Sequence, residues 1–435
     1  MGNLIPFWFI VIAVLWTGFF LLEGFDFGVG MLHSAVGRDD IGRRAVINTI
    51  GPLWDGNEVW LIVAGAAMFA AFPGWYATMF SGLYLAMVLL LISLIIRGVA
   101  FEYRGKRDAA EWRRTWDVAL TVGSLLAPFV IGVGLGDLLH GLPIDASQNY
   151  TGSFWEIFQP YAVFTGVTLV LICLLHGATF LCLRTTGELR DRSGRLARRV
   201  APFTAAAVTG FAIWTHVSST STFFLRPLEL LAILAVIAAL WLVYERRDGF
   251  AFAATAVTMA SCIVSIFVGL YPNVMVSSTN PAYSLTVHNT ASAPYSLTAM
   301  TVVVVIFLPL VLAYQCWSYY VFRRRITREQ FLPPPVPAPP PVVPPQPLPT
   351  QSGPLRAASD ALPPALSRWM RGARHGRSLR RHHHRLGGRR RHARPPPGPL
   401  GEADPAARAG RLAAPRAGEL VHRGRVRGRP LHLAR

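Results

Sequence analysis

The stretch LIPFWFIVIAVLWTGFFLLEGFDFGVGML, residues 4–32, decides the fold class. A helix needs about 20 mostly apolar residues to cross a hydrocarbon core roughly 30 Å thick, and this run exceeds that. It holds two charges, Glu23 and Asp26, whose i, i+3 spacing puts both on one helical face. No basic flank precedes the run, so it reads as a first membrane span and not as a cleavable leader.

Eight further runs of the same kind follow. The nine expected spans lie near 5–31, 47–72, 76–100, 114–137, 158–184, 201–219, 228–245, 250–271 and 295–322. Lipid cannot satisfy exposed backbone groups, so continuous helices are expected. The fold class is all-α: a polytopic membrane protein of about nine transmembrane helices, parsed as two four-helix bundles plus one peripheral helix. Basic residues set the orientation. The loops after spans one, three, five, seven and nine hold 21 of the 22 basic residues before position 331, and Arg226 alone lies on the other side. The N-terminus is therefore expected outside and the C-terminus inside.

The whole chain has 435 residues, is 52% hydrophobic and carries a formal net charge of +19. That charge suggests a nucleic-acid partner until its position is considered: 20 of the 42 basic side chains and only 4 of the 23 acidic ones fall in residues 331–435. The remainder lacks the polar exterior of an aqueous globule. A soluble protein is excluded, and no nucleic-acid partner is expected. Cys173, Cys182, Cys262 and Cys316 lie in or beside apolar runs without paired spacing, so neither a disulfide framework nor a metal site is expected. Residues 1–325 read as the membrane domain, 326–350 as a proline-rich linker and 351–435 as a disordered tail rich in Arg, Pro, Gly and Ala.

Ionisable groups within spans are costly, about 2.5–3.5 kcal/mol each on insertion scales, and so ask for a reason. Span two carries Asp55 and Glu58 within GPLWDGNEVWLI, again three apart, and Arg97 closes span three. The expected arrangement brings Asp26, Asp55 and Arg97 together between three consecutive helices. Such carboxylates either pass protons or fix the charge of a bound group. The plainer alternative has Asp55 capping its helix, Asn57 and Glu58 bonding nearby backbone, and Arg97 reaching for the interface. Gly24 and Gly28, and Gly132 and Gly136, form small-xxx-small pairs suited to close helix contact. His176 and His216 read as hydrogen-bonded interior histidines, with haem ligation or proton relay as the alternative. Trp54, Trp60, Trp75, Trp155 and Trp317 read as interfacial aromatics.

Several strings resemble subunit II of the cytochrome bd-type quinol oxidases: EGFDFGVGML (23–32), GPLWDGNEVWLI (51–62), FAAFP (69–73), RGVAFEYRGK (97–106), IGVGLGDLLHGLP (131–143), YPNVMVSST (271–279), SLTAMT (296–301) and RRRITREQF (323–331). The resemblance runs in order through nearly all of the first 331 residues, departing at Leu53 and Val276, and it does not extend into the tail. It implies a subunit of a terminal respiratory oxidase in the bacterial cytoplasmic membrane, oxidising quinol and reducing dioxygen to water. Haem b and haem d are then expected on a partner, subunit I. This chain would stabilise that partner, contribute a proton path from the cytoplasm and hold a quinone as a lipid-like structural ligand. A small third subunit is an optional further partner. The resemblance assigns Asp26, Trp54 and Asp55 to the proton path and Arg97 as their electrostatic partner; spacing adds Glu23 and Glu58. No residue of this chain is expected to be catalytic. A proton- or cation-coupled transporter is the alternative from another class, and a membrane scaffold without chemistry a third.

Overall fold

The computed structural model describes residues 4–219 and 226–332. The expected tail and all but the first seven residues of the expected linker lie outside the described residues. The described helices are α1 (Leu4–Val36), α2 (Asp40–Ile47), α3 (Trp54–Ala71), α4 (Pro73–Gly82), α5 (Tyr84–Tyr103), α6 (Ala110–His140), α7 (Pro160–Arg184), α8 (Gly187–Ser219), α9 (Pro227–Tyr244), α10 (Asp248–Leu270) and α11 (Pro294–Val321). Proline at the first helical position starts α4, α7, α9 and α11, where its fixed φ suits the helix and its missing N–H loses nothing. Gly141 ends α6 at φ 106°, a conformation that side chains resist.

Among the described residues, eight helices are long and apolar enough to cross a membrane: α1 and α5 through α11. The span expected over 47–72 corresponds to α3, which is shorter. Asp40–Ile47 form the separate helix α2, turns occupy the stretch up to Leu53, and Asp55 and Glu58 weigh on the start of α3. The next expected span starts late for a similar reason, since Pro73–Gly82 form α4 before α5 begins.

Packing sorts the long helices into two neighbourhoods. In the first, α1 lies against α3 and α6, and α6 against α5, while α3 and α5 scarcely meet through their backbones. In the second, α7, α8, α9 and α10 close a ring in which each touches the next and α10 returns to α7. The seam between them is α1 and α6 against α7. There the expected glycines act: a Cβ on Gly28 would fall 2.0 Å from the Cys173 carbonyl oxygen, and one on Gly132 would fall 2.7 Å from the Gly166 Cα. Helices in lipid associate through such close packing, because lipid tails are as apolar as leucine. α11 stands at the edge against α1 and α3, and only 6% of its most apolar window is buried.

The arginine-rich connections gather at one end. Ile326 N–H donates to the Arg184 carbonyl at 2.7 Å, and Arg192 Nη1 donates to the Val36 carbonyl at 3.0 Å. Residues 326–332 are thus folded back onto the bundle, with a short 3-10 turn over Arg328–Phe331 and an ion pair from Arg328 to Asp39. At the opposite end Leu142 N–H donates to the Val276 carbonyl at 3.0 Å, and Ser277 Oγ to that of Ile144 at 2.9 Å, tying two connections together. Trp155 and Trp317 are exposed as interfacial aromatics should be, but Trp75 is buried among core side chains at 1% exposure.

Candidate functional site

The first neighbourhood encloses a charged cluster. α1 contributes Glu23 and Asp26, α3 contributes Asn57 and Glu58, and α5 contributes Arg97. Glu23, Asp26, Asn57 and Arg97 are fully buried. Arg97 forms an ion pair with Glu23, and its Nη1 lies 3.6 Å from Glu58 Oε2. The guanidinium also faces two rings, with Cζ 4.9 Å from the centre of Phe27 and 5.2 Å from that of Phe101. Those contacts suit a desolvated guanidinium, each worth about 0.5–2 kcal/mol. Asp26 Oδ2 accepts from Asn57 Nδ2 at 2.7 Å. The Asn57 carbonyl oxygen accepts from Gln315 Nε2 at 3.0 Å and from Tyr319 Oη at 2.8 Å. Asn57 therefore links a carboxylate of α1 to the otherwise peripheral α11.

The expected triangle of Asp26, Asp55 and Arg97 does not form. Arg97 meets Glu23 and Glu58, while Asp26 is held by Asn57. Asp55 is exposed on the first turn of α3 and makes no hydrogen bond or ion pair among the described residues. Nor does it cap the helix, whose N-cap position is Leu53 without a side-chain bond. What the i, i+3 spacing could not give was depth along α3: Glu58, one turn further in, reaches Arg97, and Asp55 stays at the rim of the first turn. Trp54 packs on Phe101 with ring centres 4.9 Å apart, beside Gly98, and so flanks the cluster without entering it. Gln315 and Tyr319 were missed because uncharged side chains in an apolar run raise no alarm, and Asn57, expected only to bond nearby backbone, also joins Asp26 to α11.

A second polar network lies at the arginine-rich end. Asp117, buried near the start of α6, accepts from Arg104 Nε at 2.5 Å and Arg43 Nη1 at 2.9 Å, and lies 3.1 Å from His33 Nε2. Arg104 and Arg113 both reach Asp40, at 3.0 and 2.9 Å. These arginines were expected only as markers of sidedness; they also staple α1, α2, α5 and α6. The available signal was Asp117, one carboxylate among basic residues at a span's end.

The interior histidines are held by protein groups. His176 Nδ1 lies 2.7 Å from Thr255 Oγ1 and Nε2 lies 3.3 Å from the Leu21 carbonyl oxygen, with Phe252 stacked on the ring at 4.5 Å. His216 Nδ1 lies 2.9 Å from Glu229 Oε2. With both nitrogens of His176 engaged and an aromatic ring on its face, it does not fit an axial haem ligand. No group of three or more His, Cys, Asp or Glu with metal-site geometry occurs among the described residues. Asp137 of α6 is buried, its oxygens find no partner among the described residues, and it adjoins an apolar void of about 20 Å³.

Comparison with known proteins gives a consistent result. Residues 4–322 match the family described as cytochrome bd terminal oxidase subunit II. The chain is 44% identical to cytochrome bd ubiquinol oxidase subunit 2 of Bacillus subtilis over 335 residues, covering 76% of this chain and 99% of that protein. It is 37% identical over 359 residues to cytochrome bd-I ubiquinol oxidase subunit 2 of Escherichia coli K12, covering 74% and 95%. Its fold is similar to a chain of the bd oxidase from Geobacillus thermodenitrificans, with TM-score 0.58 and 18% identity, covering 73% of this chain and 98% of that one.

Proposed function

Because the chain belongs to the cytochrome bd terminal oxidase subunit II family, we propose that it supplies a proton-uptake path to a haem-bearing partner. It is a multi-pass protein of the bacterial plasma membrane and a subunit of a terminal quinol oxidase, an oxidoreductase complex that contains haem and a subunit I. Haem held by that complex would supply the reduction of dioxygen, a reaction that consumes protons. Our reading assigns the haems and the quinol-oxidising site to subunit I through the family resemblance, and the engaged nitrogens of His176 accord with it. The transport alternative is set aside on the family membership.

The observation that carries the proton role is a graded line of carboxylates around one buried guanidinium. Asp55 is exposed, the Glu58 side chain one turn on is 20% exposed, and Glu23 and Asp26 are fully buried. A proton taken up by Asp55 passes to Glu58, then beside Arg97 to Glu23, with Asp26 one turn along α1 from Glu23 and held there by Asn57 of α3. The cluster lies toward the arginine-rich end, which we take as cytoplasmic, with α3 as a ninth crossing helix. The same helices stabilise subunit I by presenting it a pre-packed surface. A structural quinone and a small third subunit belong to this reading through the family alone.

Asp55→Asn in the assembled complex tests it. Oxygen consumption should fall at least about tenfold, with haem content unchanged by the visible spectrum. Near-normal turnover with full assembly sinks the path, and loss of assembly would make Asp55 a structural residue.

A further inference from the structure

At the arginine-rich end, a cavity of about 150 Å³ opens between α7, α8 and the turn joining α9 to α10. Arg190, Arg195, Arg198 and Arg246 line it, against only Asp191 and Asp248. Arg190 is already committed: its Nε and Nη2 reach Asp248 Oδ2 at 2.8 and 2.7 Å, and its Nη1 lies 3.9 Å from Asp191. Arg195, Arg198 and Arg246 have no carboxylate partner among the described residues. Arg246 adopts φ 57°, a left-handed conformation unusual for a side-chain-bearing residue, and this bend brings its side chain to the cavity wall. Three unpaired guanidiniums around one small cavity make a receptor for a tetrahedral anion, whose oxygens they can bind in pairs.

A wide, shallow depression adjoins the first through Asp248 and runs along the start of α10 over Arg247, Gly249, Phe250 and Ala253. Beyond its two charged residues its surface is apolar, and Phe250 is 67% exposed. A free phosphate has no use for such a groove, whereas a lipid does. We propose that the cavity binds the phosphate of an anionic phospholipid whose acyl chains lie in the groove over Phe250. The basic side chains are thus a defined lipid site as well as determinants of sidedness. The inference needs only the chain's location in the membrane and stands apart from the proton path.

The test uses the intact complex in mild detergent, delipidated and then titrated with phosphatidylglycerol, phosphatidylcholine or inorganic phosphate, with bound lipid counted by native mass spectrometry. One phosphatidylglycerol per complex should resist delipidation. Combined Arg195→Gln, Arg198→Gln and Arg246→Gln should weaken its retention about a hundredfold, and Arg246→Gln alone about fivefold. Arg246 is exposed, so the single variant keeps the proposal testable if the triple one does not assemble. Equal retention by wild type and both variants, or equal retention of phosphatidylcholine, overturns the site. Displacement of the lipid by millimolar inorganic phosphate that itself binds as tightly would overturn the lipid as its occupant.

Discussion

The two four-helix neighbourhoods solve the same packing problem by different means. In α7–α10 every adjacent pair of helices touches, and the middle is filled by Met259, Cys262, Ile263 and Ile266 with His176 bonded to Thr255. Two of its acidic groups sit at helix starts, Glu229 beside His216 and Arg226, and Asp248 beside Arg190, where the helix dipole favours negative charge. The α1, α3, α5 and α6 neighbourhood is open between α3 and α5, and the gap is crossed by Arg97 reaching from α5 to Glu23 and Glu58. One half is held by shape and the other by charge. The half closed by ionisable side chains is the one to which the proposed proton path is assigned.

The comparison breaks most directly at Arg97. Arg97→Leu leaves Glu23 buried without its counter-charge, and we expect a loss of about 3–5 kcal/mol, read as a lower unfolding midpoint of the complex in detergent. The double change Glu23→Leu with Arg97→Leu should recover most of that loss; no recovery would mean the pair does not close the gap. Volume should govern the other half: Ile263→Ala, at 2% exposure, is expected to cost about 3 kcal/mol through the cavity it leaves. If that change were silent, α7–α10 would not be held by shape.

A finer test asks whether every buried charge in the first half contributes. Asp137 has no partner among the described residues, so Asp137→Leu should raise stability by about 1–3 kcal/mol. A drop of the same size would show that this carboxyl is engaged in the assembled enzyme. The smallest effect concerns the 326–332 segment. Burial pushes the Asp39 carboxyl up, but the hydrogen bonds from Arg328 and Gly42 together outweigh it and hold it below its usual range. The contribution is therefore present above the unfolded pKa and is lost as pH falls through the folded value. Since the Asp39 side chain is 46% exposed, the effect is slight. Amide exchange at Ile326–Phe331 should quicken on acidification below about pH 4, and Asp39→Asn should remove that pH dependence.

Much of the fold could be read from residue order because lipid imposes a length and a polarity on each span. The long helices from α6 to α11 begin and end within a few residues of expectation, apart from α8, whose amphipathic first turns extend it back to Gly187. α2 and α4 escaped notice because short helices at a span's edge follow local turns and leave no mark in hydropathy. At the site, the paired acids and Arg97 stood out as costly residues in lipid. Their partners did not, because pairing depends on how each helix is rotated and how deep each residue sits against its neighbours, and one turn of depth separates Glu58 from Asp55. Asn57, Tyr319 and Asp117 show the other limit: hydrogen-bonding side chains gain meaning only from neighbours far along the chain.

The bond from Tyr319 to Asn57 joins residues 262 positions apart, and that separation has a bearing on biogenesis. At about 5–20 residues per second, roughly 13–50 s elapse between synthesis of Asn57 and arrival of its last partner. During that interval the amide holding Asp26 is only half anchored, however complete the earlier helices are. The least buried helix is therefore the one whose insertion completes the polar interior, so a nascent chain stalled before α11 would present an unfinished site to the membrane's quality-control proteases.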